Sequence, residues 1–443
     1  MKNRLITFWQ KVNATYWFYP AIFSAIAVAL AFMTIHLDRI GWAERLGQMA
    51  WVQPARPQGA SNMLTVIAGS MIGVASTVFS ITIAAVAYAS GNYGPRLLTN
   101  FMEDRGNQFS LATFIGTFVY TLTVLRAVRT EEETNLLEMG SASAIGGFVP
   151  QLSLLTAYLL MAVSIAVLVF FLNHIPASIR INSVLQGIGE RLIRDIKRLF
   201  PEESAGEVDM KAPMGRSVDA KDVGYIQLID FHRLERIAQA AGGHIKLGVR
   251  TGDFVHPAVP MAYWADDDEL DNLRDDEILQ CFTLGGMRTP AQDLHFLIDE
   301  LVEIGLRALS PGINDPFTAI TAVHWLGAAT AELAHRDLVR KFNEDDDGDA
   351  ESDRLILLDD DFSHYVARGF GAMRSGLATS PSAARVAFDC LSNSATTIKD
   401  ASRLRTLKVE GEQLFRQARE ALTGPDLELV EARYVIFEEK MAG

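Results

Sequence analysis

An α-helical membrane domain of about four transmembrane helices, followed by a cytoplasmic α+β domain, is the architecture this sequence predicts. Three observations predict it. Four long apolar stretches lie within the first 175 residues, the net charge changes sign between the two halves, and short strand-like runs followed by helical periodicity begin near residue 222.

Length identifies the apolar stretches. A bilayer core of about 30 Å needs roughly 20 apolar residues in a helix. Phe18–Ile35, Met63–Ala89, Phe109–Leu125 and Leu152–Leu172 meet that length, and none contains Asp, Glu, Lys, Arg or His. Tyr16-Trp17-Phe18-Tyr19 at the first of them reads as an interfacial aromatic belt. Ala29-Leu30-Ala31 offers the small-residue pattern of a cleavage site, but the segment before it is long and aromatic rather than short and basic, which speaks against a signal peptide.

Charge supplies the second observation. Residues 1–200 carry 15 Lys+Arg against 10 Asp+Glu, whereas residues 201–443 carry 25 against 44, a net of −19. Phosphate binding needs clustered positive charge, so nucleic acid is excluded as the partner of the second half. With the N-terminus inside, ten Lys/Arg flank the inner ends of the spans and five the outer ends. This bias predicts a bacterial inner-membrane protein with both termini in the cytoplasm and the lipid bilayer as its first partner.

The second and third spans carry small and hydroxylated residues at helical spacing. Thr65, Gly69, Gly73, Ser76 and Ser80 share one face, and Thr113, Thr117 and Thr121, with Ser110, share another. Such faces serve helix packing in lipid or the wall of a narrow wet pore, and both readings stay open. A pore would need several copies of the chain. The spans lack ionisable residues, which argues against proton-coupled transport.

The second half divides by pattern. After an N-terminal segment 1–17 and the spans of 18–175, a basic amphipathic helix and linker are expected over 176–221. A small β subdomain is expected over 222–265, with a strand from His244 turning at Thr251-Gly252-Asp253. A helical domain is expected over 266–443. In it, Thr289-Pro290-Ala291-Gln292 reads as a capping box. Asp315-Pro316 starts the next helix, and later helices are expected over Phe362–Gly376, Pro381–Leu407 and Gly411–Met441.

Arg288-Thr-Pro-Ala-Gln-Asp293, then Gly305-Leu-Arg-Ala-Leu-Ser-Pro-Gly-Ile-Asn-Asp-Pro-Phe-Thr-Ala-Ile320, with Gly224-Tyr-Ile-Gln and Gly252-Asp-Phe-Val, resembles the bacterial membrane proteins grouped as domain of unknown function 2254. The resemblance covers most of the chain. It implies an architecture and brings no reaction, substrate or cofactor with it.

Candidate sites are few. Arg307, Ser310, Gly312, Asn314 and Asp315 surround a helix start that suits an anion, or else form only a tight corner between helices. Asn343, Asp345, Asp347 and Gly348, in an acidic loop over 343–361, imitate a calcium loop, but Arg354 stands where a bidentate glutamate belongs, so the run reads as solvated. The nine histidines form no HExxH and no short-spaced metal cluster. Cys281 and Cys390 read as core thiols. No cofactor, no metal and no enzymatic reaction is expected. The leading expectation is an oligomeric, channel-like or passive transport protein with a cytoplasmic assembly or gating domain; the alternative is a membrane-anchored ligand sensor or scaffold whose spans only pack.

Overall fold

The computed structural model describes residues 15–42, 56–94, 104–129, 148–200, 202, 215–265, 273–339, 354–396 and 398–442. The N-terminal segment 1–14 and the acidic run 343–353, calcium-loop imitation included, lie outside the described residues. The chain forms two compact units, Met1–Arg180 and Ile181–Gly443.

Among the described residues, the first unit holds four helices: α1 (Phe18–Arg39), α2 (Pro57–Tyr93), α3 (Arg105–Leu125) and α4 (Gln151–Ser178). All four are long and apolar enough to cross a membrane. They run past the apolar limits read from sequence, so α1 ends with His36, Asp38 and Arg39, and α4 contains His174. Helix α3 packs against the other three and is the most buried of the set. Ala27 and Ala31 of α1 and Ala60 and Leu64 of α2 share one apolar cluster with Tyr120 and Val124 of α3. A second cluster joins Ile67, Met71 and Val78 of α2 to Phe114 of α3 and Phe171 of α4. Gly116 lets α1 approach, since a Cβ there would stand 3.3 Å from that of Phe23.

Polar groups tie the helix ends. Asp38, 8 % exposed, accepts hydrogen bonds from Leu152 N (2.8 Å), Ser153 N (3.0 Å) and Ser153 Oγ (2.7 Å). A carboxylate from α1 therefore caps the start of α4, where unpaired amides and the positive end of the helix dipole favour an anion. Asp104 does the same for α3 by accepting from Asn107 N, and its carboxylate also meets His174 Nε2 at 2.9 Å. Gly106 makes room for that imidazole; a Cβ there would stand 2.6 Å from Nε2.

The second unit begins with α5 (Ile181–Leu199), whose Leu185, Ile188, Leu192 and Ile196 are buried. Fully burying such a side chain is worth about 1.5–3 kcal/mol, so this helix is held by its apolar face. That face lies on α8 (Leu294–Ala308) and α9 (Pro316–Ala334). Gly189 is the contact point, because a Cβ there would run into the Trp325 ring.

Among the described residues, seven short strands follow: β1 (Arg216–Asp219), β2 (Gly224–Ile229), β3 (His244–Leu247), β4 (Phe254–Val255), β5 (Pro260–Ala265), β6 (Phe282–Gly285) and β7 (Leu355–Ile356). They build two sheets, ordered β1-β5-β3-β7 and β4-β2-β6. Two helices, α6 (Phe231–Ala241) and α7 (Leu273–Leu279), lie between strands in sequence. The expected strand turning at Thr251-Gly252-Asp253 does not form a hairpin: β3 and β4 flank that turn but belong to different sheets. The turn instead hydrogen-bonds to β2, through Gly252 N to Ile226 O (2.8 Å) and Ile226 N to Asp253 O (2.9 Å).

The helical part ends with α10 (Phe362–Val366), a π-helical turn over Ala367–Gly371, α11 (Ala372–Ala378), α12 (Pro381–Ala395), α13 (Ala401–Ala421) and α14 (Pro425–Ala442). Three helix limits differ from those expected. The capping box at Thr289 does not form; α8 starts at Leu294 with Asp293 accepting from Phe296 N. The cause is Gln292, whose side chain is drawn to the β2 backbone at Ile229 (2.9 Å from its N). The expected 381–407 helix breaks before Asp400, which caps α13 through Ser402 N (2.7 Å). The expected 411–441 helix breaks at Gly424, φ +58°, where α13 has ended and Pro425 opens α14.

Replacing Asp38 by Ala should lower the thermal unfolding midpoint of the purified protein in detergent, a loss of about 1–2 kcal/mol from the missing cap. Asn, which still accepts a hydrogen bond, should recover part of it. Equal midpoints for all three proteins would show that the cap contributes nothing.

Candidate functional site

The hydroxyl faces of α2 and α3 part company. Ser110, Thr117 and Thr121 are buried and Thr113 is half-buried. Thr117 Oγ1 meets Ser164 Oγ of α4 at 3.0 Å, and the Thr121 hydroxyl donates to Thr117 O at 2.9 Å. That face packs inside the four-helix unit. On α2, by contrast, Thr65, Gly69, Gly73, Ser76 and Ser80 all lie on the outside, and a Cβ at Gly69 or Gly73 would meet nothing within 4 Å. The Thr65 and Ser80 hydroxyls donate to Ser61 O and Ser76 O within the helix.

The corner at Ser310–Asp315 satisfies itself. Ser310 Oγ donates to Arg307 O (2.6 Å), Asn314 N to Ser310 O (2.9 Å) and Asp315 N to Ala308 O (2.8 Å). Asp315 caps α9 through Thr318 N (3.1 Å) and Thr318 Oγ1 (2.6 Å). Asn314 takes the left-handed φ of +49°, while Gly312 is exposed with open space around it. Arg307 pairs with Glu303 at 3.6 Å. Turn chemistry accounts for these contacts.

A polar centre lies elsewhere in the second unit, on residues the sequence patterns did not single out. Strands β3 and β7 pair in parallel with Ile245 opposite Leu355. Continuing that register five residues brings Arg250 opposite Asp360, and the two side chains form an ion pair. The turn after Arg250 then fixes α8: Thr251 Oγ1 donates to Gln292 O at 2.7 Å. Gly252, φ +92°, leaves space that a Cβ would take from the Asp293 carboxylate. With the start of α8 held there, His295 comes within 3.0 Å of Asp360 Oδ2. His364, one helical turn past Asp360, brings its Nδ1 to 3.5 Å from Oδ1. The side chains of His295 and Asp360 are 9 % and 8 % exposed, and that of His364 41 %.

A second network adjoins this one. Arg288 reaches Asp293 (2.7 Å) and Asp299 (2.5 Å), and Arg368 grips Asp299 with two bonds of 2.8 Å. Arg368 sits in the π-helical turn, a rare geometry that often marks functional positions.

Environment sets the charges. Burial pushes the Asp360 carboxyl up, but His295 and Arg250 outweigh it and hold it well below the usual carboxylate range. Burial likewise opposes ionisation of Asp299, and Arg368 with Arg288 more than offsets it. Asp293 ends above the usual range, burial there prevailing over Arg288. For His364, burial lowers the imidazole against the pull of Asp360, which keeps the ring neutral at neutral pH. Burial pushes both thiols, Cys281 and Cys390, up to about 12, so neither is an activated nucleophile.

Among the described residues, His295, Asp360 and His364 each offer one donor atom, all within 4.8 Å of one another, a spacing from which a metal ion could be held. Sequence reading missed the group because 64 residues separate His295 from the nearer end of the Asp360-x-x-x-His364 pair, and because Asp360 lies between Asp359 and Asp361 in an acidic stretch that looks solvated. The i, i+4 spacing of Asp360 and His364 on a helix start was the available signal.

Asp299 carries a pH dependence. Its lowered value means that its contribution to stability is complete above the unfolded carboxylate value and is lost as pH falls through the folded one, below about pH 4. Asp299→Asn should therefore cost about 3 kcal/mol at pH 7 by leaving the partly buried Arg368 without its carboxylate and Arg288 with Asp293 alone, and should flatten the acid limb of a stability–pH profile measured by denaturant unfolding. An unchanged acid limb would count against this assignment.

Comparison with known proteins agrees with the resemblance. The family described as "Predicted membrane protein (DUF2254)" matches residues 13–393. Uncharacterised proteins of Mycobacterium bovis and of Mycobacterium tuberculosis are 31 % identical over 291 residues, which is 64 % of this chain and 54 % of each relative. The chain thus spans about half the length of the curated relatives it matches. No solved structure matches. Most of the chain lies within one family match, and the protein belongs to that family of predicted membrane proteins.

Proposed function

We propose that the protein is a membrane-anchored binding protein. Its unit Ile181–Gly443 takes a small ligand at the centre formed by Arg250, His295, Asp360 and His364, and its four apolar helices cross the bilayer and hold that unit at the surface. One observation carries this reading. His295, 7 % exposed, places a buried ring nitrogen beside Asp360 with no hydrogen bond made to it. Three donor groups gathered at one carboxylate offer what a small ligand or ion would use. This ordering reverses the one drawn from sequence, because the α3 hydroxyls that could have lined a pore are spent on packing. Lys/Arg bias supports a multi-pass inner-membrane topology with the second unit in the cytoplasm, and no reaction is assigned.

Thermal unfolding of the full chain in detergent, screened against divalent cations and small anions, should reveal at least one that raises the midpoint. Asp360→Asn should abolish that rise, and no response in wild type to either class would reject a ligand site at this centre.

A second reading rests on the outward face of α2. Exposed Gly69 and Gly73 allow another helix to approach closely in lipid, which favours self-association and a channel-like path between copies. Liposomes containing the protein should then pass small ions, and Gly73→Leu should reduce both the oligomer mass in detergent and the flux. Impermeable vesicles with monomeric protein would eliminate this reading.

A further inference from the structure

The chemistry of the centre identifies its ligand more closely, and the identification rests on the binding function proposed for the same residues. We propose that His295, Asp360 and His364 form a site for a divalent transition-metal ion, two imidazoles and one carboxylate. The donor atoms lie within 4.8 Å of one another. An ion with bonds of about 2.0–2.2 Å draws its ligand atoms to roughly 3.2–3.6 Å apart, so the group stands slightly open. His364, the most exposed of the three, is the side chain free to close it.

His295 Nε2 lies 3.0 Å from Asp360 Oδ2 without a well-aligned hydrogen bond, and Arg250 Nη1, paired with the same carboxylate, is off axis too. His364 Nε2 is likewise buried without a hydrogen-bond partner. Donor atoms that face one another off axis fit a shared ion better than a hydrogen bond. By contrast, His174 and Asp104, a histidine–carboxylate pair of similar length, are aligned and hydrogen-bonded.

The surroundings also fit. Arg250 holds Asp360 and is itself held by Asp253, whose Oδ2 lies 3.9 Å from Arg250 Nε and accepts from Arg250 N at 2.9 Å. One arginine thus stands against two aspartates beside the imidazoles. Such outer contacts orient a metal-bound carboxylate. Two nitrogen donors disfavour calcium and magnesium, which take oxygen ligands, and favour Zn²⁺, Fe²⁺, Co²⁺ or Ni²⁺. Three protein ligands leave positions open for water or a further ligand.

Cobalt(II) is the probe, added to the purified full chain in detergent after stripping with EDTA, with binding read by equilibrium dialysis and visible absorption. Wild type should bind one Co²⁺ per chain, saturably and with ligand-field bands. His295→Ala and His364→Ala should each weaken binding by at least about tenfold, the loss that even outer-shell changes bring, whereas His335→Ala should not. If His295→Ala fails to fold, His364→Ala decides alone. Absence of saturable binding in wild type, or full binding in the His364 variant, overturns the metal site. Thermal unfolding in inorganic phosphate separates this from the broader binding function. Stabilisation by phosphate but not by metal leaves a ligand site of the wrong charge, and response to neither removes both.

Discussion

The Asp360 carboxylate is the constraint around which the second unit is arranged. It is a buried charge, and a buried charge is tolerated only when several partners meet it. Arg250 comes from the loop beyond β3, His295 from the first turn of α8, and His364 from the helix that Asp360 itself precedes. Each approach depends on a separate piece of folding: the parallel β3–β7 register, the anchoring of α8, and the helix start at Phe362. Loss of any one would leave the carboxylate short of a partner in a place poor in water.

The turn Arg250-Thr-Gly-Asp253 performs most of that anchoring. Thr251 and the empty side of Gly252 fix the start of α8, while Asp253 orients Arg250. Four consecutive residues thereby connect a sheet, a helix and the polar centre. The adjoining pair of arginines on Asp299 extends the same principle to the π-helical turn, where Arg368 gains the reach for a two-bond grip. The result is a band of charged and polar side chains inside the unit. Such a band rigidifies when fully satisfied and is open to a ligand where it is not. The imidazole nitrogens of His295 and His364, with Arg250 Nε and Nη1, are among the buried polar atoms of the described residues that lack a hydrogen bond.

In the four-helix unit, polar groups do a different job. Asp38 and Asp104 cap helix starts, and the Thr117–Ser164 and Thr34–Tyr120 contacts join helices across the interior. In an apolar surrounding, a hydroxyl must find an acceptor in its own helix or in a neighbour. On α3 the Thr117 and Tyr120 hydroxyls reach Ser164 and Thr34 of neighbouring helices, while Ser110, Thr113 and Thr121, like Thr65, Thr77 and Ser80 of α2, turn back on carbonyls of their own helix.

Sequence alone determined what depends on neighbouring residues. Apolar length marks four helices, Asp315-Pro316 marks a helix start, and the string from Gly305 to Ile320 marks the family, because each is a local property of composition and spacing. Faces and partners are not local. Thr65 and Thr117 belong to similar stripes, yet one points outward and the other into the bundle, a choice made by which helix packs beside it. Asp360 is one acidic residue among many until β7 pairs with β3 and sets it against Arg250. Gln292 looks like a capping residue until the β2 backbone claims it. Four long apolar helices follow from one-dimensional pattern, whereas a buried centre joining residues 250, 295, 360 and 364 exists only once non-local strand pairing has closed the chain.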